Sequence, residues 1–385
     1  MDFRLTDEQR MLRKTIRDLV DREFKPRAAE WDRNGQLPWD NIRRLGQIGV
    51  TGLTIPTEYG GAGQTLLEGV FAIEEVARGC PNTALALISG MGVVSMAIIQ
   101  YGTEAQKRKY LPPIAAAKAV SAICMTEPTV GSVTSQVQTN VVGRGAGYMV
   151  NGRKCMISRG GLADYYLVVC RFEGKPGLDG VGAVIIDQGS SGLSFGKAED
   201  TLGFRGVPAT DMIMEDCLIP PENVLIGAGG FKKMMTAFNA QRCLNPAISL
   251  GVAQAAFEES LAYVQKRELY GHPVSDFQGI RWNLADMETK IEAARLLIYR
   301  AASNAAMGLP SRLEASLGKL FANEMALEVT DMALQLHGGY GFSREFVVER
   351  LLREARGMVL GGGPPQLQRN QIGDELIKRG SVAWI

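Results

Sequence analysis

The stretch Ala122-Ile123-Cys124-Met125-Thr126-Glu127-Pro128-Thr129-Val130-Gly131-Ser132 marks the place where this chain changes texture. Its first five residues read as a short β run, and the Pro and Gly that follow read as a turn. Toward the C-terminus, further β-type runs over 148–150, 154–157, 165–170, 182–186 and 210–214 are separated by turn residues. Asn151-Gly152, between two of these runs, is a two-residue hairpin signal. Together they predict a compact antiparallel β domain that ends near Pro220-Pro221.

On the N-terminal side of this stretch the pattern is helical. Thr6-x-x-Gln9 is a capping box, and Leu12, Ile16, Leu19 and Val20 then form an apolar stripe. Further helices are expected over 39–49, 66–77, 84–101 and 104–116, with a break at the Gly-rich run from Thr54 to Gly63. From Phe231 onward the chain is helical again. Leu250, Ala253, Phe257, Leu261 and Val264 make one stripe, and Ile280, Leu284, Met287, Ile291, Ala294 and Ile298 a second. The third follows the capping box Ser311-x-x-Glu314 through Leu313, Leu317, Leu320, Met325, Val329, Met332 and Leu336, and a last helix follows Pro364-Pro365. Four amphipathic helices with short links predict a four-helix bundle.

The order is helices, then strands, then helices, so the class is α+β with three expected domains: 1–119, 120–226 and 227–385. A length of 385 residues fits two or three domains at ~150 residues each. A chain 46% hydrophobic and 22% charged fits a globular protein with a large core. A formal charge of +1 argues against nucleic acid or an anionic membrane as partner. No apolar run reaching the ~18 residues of a membrane helix is read from the sequence. The first residues carry charge and lack a long apolar segment, so a cytoplasmic location is expected. Six cysteines form no Cys-x-x-Cys pair and only two histidines are present, so reduced, buried thiols are expected rather than a metal centre.

Four stretches, in order along essentially the whole chain, resemble the motifs of the acyl-CoA dehydrogenase family. The first is Thr126-Glu127-Pro128-Thr129-Val130-Gly131-Ser132, where the family's first Gly is Thr129 and its frequent Asp is Val133. By that resemblance Met125, Thr126, Gly131 and Ser132 touch FAD, with Ser132 also near the CoA chain. The second is Asn151-Gly152-Arg153-Lys154-Cys155-Met156-Ile157-Ser158; Ser158 keeps a hydroxyl toward the flavin, and Met156 replaces a Trp. The third runs from Arg267 to Gln278, and the resemblance places Arg267 at the FAD diphosphate and Tyr270 and Gln278 near the adenosine. The fourth, Gln335-Leu336-His337-Gly338-Gly339-Tyr340-Gly341, reaches the FAD of a neighbouring subunit in the family. Pro364 and Gln366 join the cofactor set in the same way. The resemblance implies the acyl-CoA dehydrogenase fold, an N-terminal helical domain, a central β domain and a C-terminal bundle. It also implies a homotetramer built as a dimer of dimers, an acyl-CoA substrate, and electron-transfer flavoprotein or O₂ as acceptor.

One departure bears on the reaction. Where the family carries Tyr-Glu-Gly-Thr, this chain has Gly361-Gly362-Gly363-Pro364, so the catalytic Glu position is Gly362. Other members carry the Glu on the first bundle helix, before an Arg; that position is Gln241, before Arg242. Neither residue removes a proton, and a lost general base costs roughly 10²–10⁴ in rate. Arg242 and Asn239 match the family's contacts to the CoA portion. Asn239-Ala240-Gln241-Arg242 with Gly361-Gly362-Gly363 resembles the sulfinopropionyl-CoA desulfinase branch, but that branch's sulfinate-holding Arg has no counterpart in Cys80-Pro81-Asn82-Thr83-Ala84-Leu85-Ala86-Leu87. Desaturation of an unusual acyl-CoA, elimination from one, and flavin-dependent oxygenation of an acyl thioester remain as alternatives.

Overall fold

In a computed structural model, residues 4–305 and 308–379 are described. Seven helices among these form the N-terminal part: α1 (Asp7–Leu19), α2 (Ala28–Asn34), α3 (Trp39–Gln47), α4 (Leu66–Gly79), α5 (Pro81–Met91), α6 (Val93–Tyr101) and α7 (Glu104–Ala115). The capping box at Thr6 and Gln9 is formed in both directions, and Ile16 and Leu19 are buried beneath it. The single helix expected over 84–101 is two, broken at Gly92. A β-carbon at Gly92 would overlap the Gln241 side chain, which fixes both the break and the residue.

The β domain is one 8-stranded sheet. Its strands are β1 (Ser121–Cys124), β2 (Asn140–Arg144), β3 (Gly147–Ser158), β4 (Tyr165–Phe172), β5 (Val181–Asp187), β6 (Leu193–Phe195), β7 (Ala209–Ile219) and β8 (Val224–Ile226), in the order β6-β7-β3-β2-β4-β5-β8. The sheet is not wholly antiparallel, because β1 and β2 both pair with β4 in parallel. Asn151-Gly152 does not turn the chain either: both residues lie inside β3, at an irregularity against β7. The Asn151 side chain accepts from Asp216 N at 2.7 Å and donates to Asp216 Oδ1, so its turn-forming capacity is spent across the sheet. The tight turn lies earlier, between Arg144 and Gly147, with Gly145 at φ +59°.

Successive residues of β4 and β5 serve two cores. Leu167, Val169, Ala183 and Ile185 pack toward α6, α7 and the start of the next helix, while Tyr166, Val168, Cys170, Val184 and Ile186 pack toward α3. The C-terminal part holds α8 (Phe231–Lys266), α9 (Gln278–Ala305), α10 (Arg312–His337), α11 (Val347–Leu360) and α12 (Pro365–Arg379). The expected bundle therefore gains a fifth helix, α11, whose Val348, Leu351, Ala355 and Met358 are buried. α8 packs against α4, α5, α6, α9, α10 and α11, so its side chains meet both helical parts. The 21-residue stretch Pro81–Tyr101 is apolar enough for a membrane span by composition, contrary to the reading from sequence, but 89% of its apolar window is buried inside the fold.

Candidate active site

The first two motifs are stitched together. Cys155 N donates to the Thr126 carbonyl at 2.9 Å. Lys154 reaches under the loop, donating to the Met125 carbonyl at 3.1 Å and to Glu127 Oε1 at 2.8 Å, with both side chains buried. Glu127 also accepts from Gln138 N, Thr139 N and the Thr139 hydroxyl. Burial alone would raise this carboxyl, but Lys154 and the hydrogen bonds hold it below its ordinary value. The anchored loop leaves Gly131 and Ser132 exposed. Met156 sits at φ +57° with 55% of its surface exposed, an apolar side chain that this chain does not cover.

The third and fourth motifs meet at the far end of α8. Arg267, Gln335, Gly338 and Gly339 line one cavity of about 660 Å³. The Arg267 guanidinium has no hydrogen-bond or ion-pair partner among the described residues, and Gly338 and Gly339 carry no side chain to close the cavity. A free guanidinium over bare backbone suits a diphosphate. Tyr270 is 92% exposed, and Gln278 starts α9 on the surface. His337 also lines this cavity, with its ring stacked on Tyr263 at 4.2 Å and bonded to the Ala333 carbonyl.

The positions that would hold a base lie on α8 and at the end of α11. Gln241 Oε1 accepts from Val93 N, a donor freed by the break at Gly92, at 3.1 Å. Gln241 Nε2 donates to Asn245 Oδ1 at 3.0 Å, one helical turn on. Asn245 Nδ2 occupies the direction of a side chain at Gly362, where φ is +71° and a β-carbon would overlap it. One more turn along α8, Ser249 donates to Asn323 Oδ1, and Asn323 Nδ2 donates to the Met358 carbonyl at 2.7 Å. Gln241, Asn245 and Ser249 thus form a neutral polar stripe at i, i+4 and i+8 on a mostly buried helix. Asn245 and Asn323 were not read from the sequence as site residues.

Arg242 and Asn239 are buried and bonded to each other at 2.6 Å, with Asn239 Nδ2 on the Pro310 carbonyl. Ser132 is bonded to neither of them and stands on the exposed loop. Arg242 Nε is buried without a partner, and burial with Arg312 nearby lowers the guanidinium to about 10. Lys319 of α10 lies close by, 1% exposed, and burial with the Arg242 charge pushes its ammonium down to about 7.

Family sequence models cover the chain in three consecutive pieces: the N-terminal domain of acyl-CoA dehydrogenase over 6–118, the middle domain over 122–217 and the C-terminal domain over 228–377. The chain belongs to the acyl-CoA dehydrogenase family. It is 37% identical to a short-chain specific acyl-CoA dehydrogenase of Clostridium acetobutylicum, over 98% of this chain and 100% of that one. It is 36% identical to a 3-sulfinopropanoyl-CoA desulfinase of Advenella mimigardefordensis, over 97% of this chain and 95% of that one. The solved butyryl-CoA dehydrogenase of Megasphaera elsdenii superposes with a TM-score of 0.94 at 34% identity, over 98% and 100% of the two chains. The protein is therefore an oxidoreductase and a flavoprotein of this family, with the family's fold.

Proposed function

We propose that this acyl-CoA dehydrogenase family member binds FAD and acts on an acyl-CoA thioester without a carboxylate base at either family position. The observation that carries this is local: Asn245 fills the space into which a side chain at residue 362 would grow, and Gln241 spends both ends of its amide on Val93 and Asn245. Such a pocket is built to be neutral at these two positions. The Gly362 N–H makes no hydrogen bond within the described chain and is free to hold a thioester oxygen, with Asn239 and Arg242 on the CoA side. Bound FAD would supply hydride acceptance or donation at the β-carbon.

Two chains share each FAD in this reading. Asn245 and Arg267 are 22 residues apart along α8, about 33 Å at ~1.5 Å per residue. The flavin loops and the diphosphate cavity of one chain therefore serve different cofactors. The cavity lies near exposed Leu269, Tyr270, Trp282, Tyr340 and Phe342, an apolar surface suited to a second copy and hence to a dimer-based tetramer.

A second reading is favoured by the same neutral site together with the desulfinase relative: desulfination, in which the bond from the β-carbon to sulfur breaks with its electron pair left on carbon. The sulfur leaves as sulfur dioxide and the β-carbon takes a proton, so that no α-proton is removed. Anaerobic titration of the yellow protein with saturated, unsaturated and β-substituted acyl-CoAs decides between them. Bleaching of the flavin by a saturated ester supports redox chemistry. Product formation from a β-sulfinyl ester with no bleaching supports desulfination. Binding of none of these esters would sink both.

A further inference from the structure

We propose that Lys319 is the proton-transfer group of this site: its amine exchanges a proton with the carbon beside the thioester carbonyl, standing in for the missing glutamate. The inference rests on the acyl-thioester reading above and goes one step past it, to the residue.

Place comes first. Lys319 Cε lies 3.4 Å from where a β-carbon on residue 362 would sit, so its amine borders the space a carboxylate there would use. The two family base positions converge on the same spot, since Gln241 bonds Asn245 and Asn245 abuts Gly362.

The surroundings come second. Among the described residues, the Lys319 amine makes one hydrogen bond, to the Met358 carbonyl at 3.5 Å, the outer limit for such a bond. That carbonyl already accepts from Asn323 at 2.7 Å, so capping α11 does not require the lysine. α8 brings Arg242, Gln241 and Asn245 to this region; α11 and its following loop bring backbone; α12 brings Gln368, whose amide donates to the Gly363 carbonyl. Among the described residues, the charged group that acts on Lys319 is Arg242, with Arg312 behind it held by Asp374 and Glu375, and no carboxylate pairs with the lysine. An arginine keeps its proton, which leaves Lys319, among the described residues bordering Gly362, as the group able to give or take one.

Poise comes third. A lysine brought down to about 7 is half neutral at physiological pH, the condition for a general base. In the oxidising direction the amine lone pair takes the α-proton. The α C–H electron pair becomes the new Cα=Cβ bond, and the β C–H pair leaves as hydride to oxidised flavin, which gains two electrons. Lys319 ends as an ammonium ion, and the reducing direction runs these transfers backward.

Proton exchange can be read apart from redox with an acyl-CoA carrying sulfur in place of the β-carbon, which has acidic α-protons and no β-hydride. The FAD-loaded wild type, Lys319→Met and Lys319→Arg are incubated with this probe in D₂O from pH 5.5 to 9, and α-deuterium is followed by mass spectrometry. The wild type should exchange with a rate that rises through about pH 7. Lys319→Met should lose exchange by ~10²-fold or more at unchanged flavin content. Lys319→Arg, which keeps a cation in the same place, should lose it too; if Lys319→Met fails to fold, this variant carries the test. Exchange retained in either variant overturns the proposal, as does a wild type whose flavin spectrum responds to the probe without exchange. A wild type whose flavin spectrum ignores the probe overturns the acyl-thioester reading and this proposal with it.

Discussion

The side-chain amide of Asn245 stands where the first carbon of a side chain on Gly362 would have to go. Gly362→Glu by itself will therefore not install a working base. The backbone there is at φ +71°, which strains any side chain by ~1–3 kcal/mol, and the new β-carbon collides with the amide. Combining Gly362→Glu with Asn245→Ala clears the space. The double variant should exchange α-protons faster than Gly362→Glu alone, by up to the ~10²–10⁴ that a general base contributes. Equal rates in the two would show that Asn245 is not the obstacle.

Removal of the Arg267 guanidinium should empty the flavin site without touching the acyl site. A charge-assisted diphosphate contact is worth ~1.5–3 kcal/mol, so Arg267→Ala should purify with less FAD and regain it only at higher free FAD. Absorbance at the flavin band against protein concentration measures this directly. Unchanged FAD content would move the diphosphate elsewhere.

Glu354 sets a pH dependence of stability. It is fully buried; Asn82 Nδ2 donates to Oε1 at 3.0 Å, while Oε2 has no partner. Burial raises its carboxyl from 4.5 to about 8. A raised acid favours the folded state while protonated, so this contribution is full below about 4.5 and is lost as pH rises through about 8. The melting temperature should fall across that window, and Glu354→Gln, neutral throughout, should flatten the fall. A profile identical in the two proteins would refute the assignment.

Lys154 and Glu127 are a buried pair that fixes the flavin loop. Lys154→Met leaves a buried carboxylate unpaired, a loss of ~3–5 kcal/mol. Unfolding in urea should report it, with flavin released before the helices melt. A variant as stable as wild type would mean that water reaches Glu127.

The three-part order was legible because periodicity changes at Ser121 and again at Phe231, and periodicity is a local property. The misreadings came from distant partners. Asn151-Gly152 carries turn chemistry, yet Asp216 on the neighbouring strand claims the Asn side chain. β2 was missed because its Val141 and Val142 stand among Gly143, Arg144 and Gly145, too short an apolar run to read alone. α11, just before Gly361-Gly362-Gly363-Pro364, was missed although Val348, Leu351, Ala355 and Met358 carry a helical stripe. In the site, the motifs name candidate residues, whereas Asn245 and Lys319 stand outside any motif: nothing local says which helices they face. The one available signal was Gln241, Asn245 and Ser249 at four-residue spacing on a buried helix.

Pro81–Tyr101 has a consequence for how the protein is made. Of its two helices, α5 packs on α4 and on α8, and α6 chiefly on α8, which begins only at Phe231. During synthesis the whole β domain must emerge before the α8 part of that cover exists. Through that interval the nascent chain presents the α8-facing side of a membrane-like segment to water, and its fate depends on chaperones or on the speed of translation across the sheet.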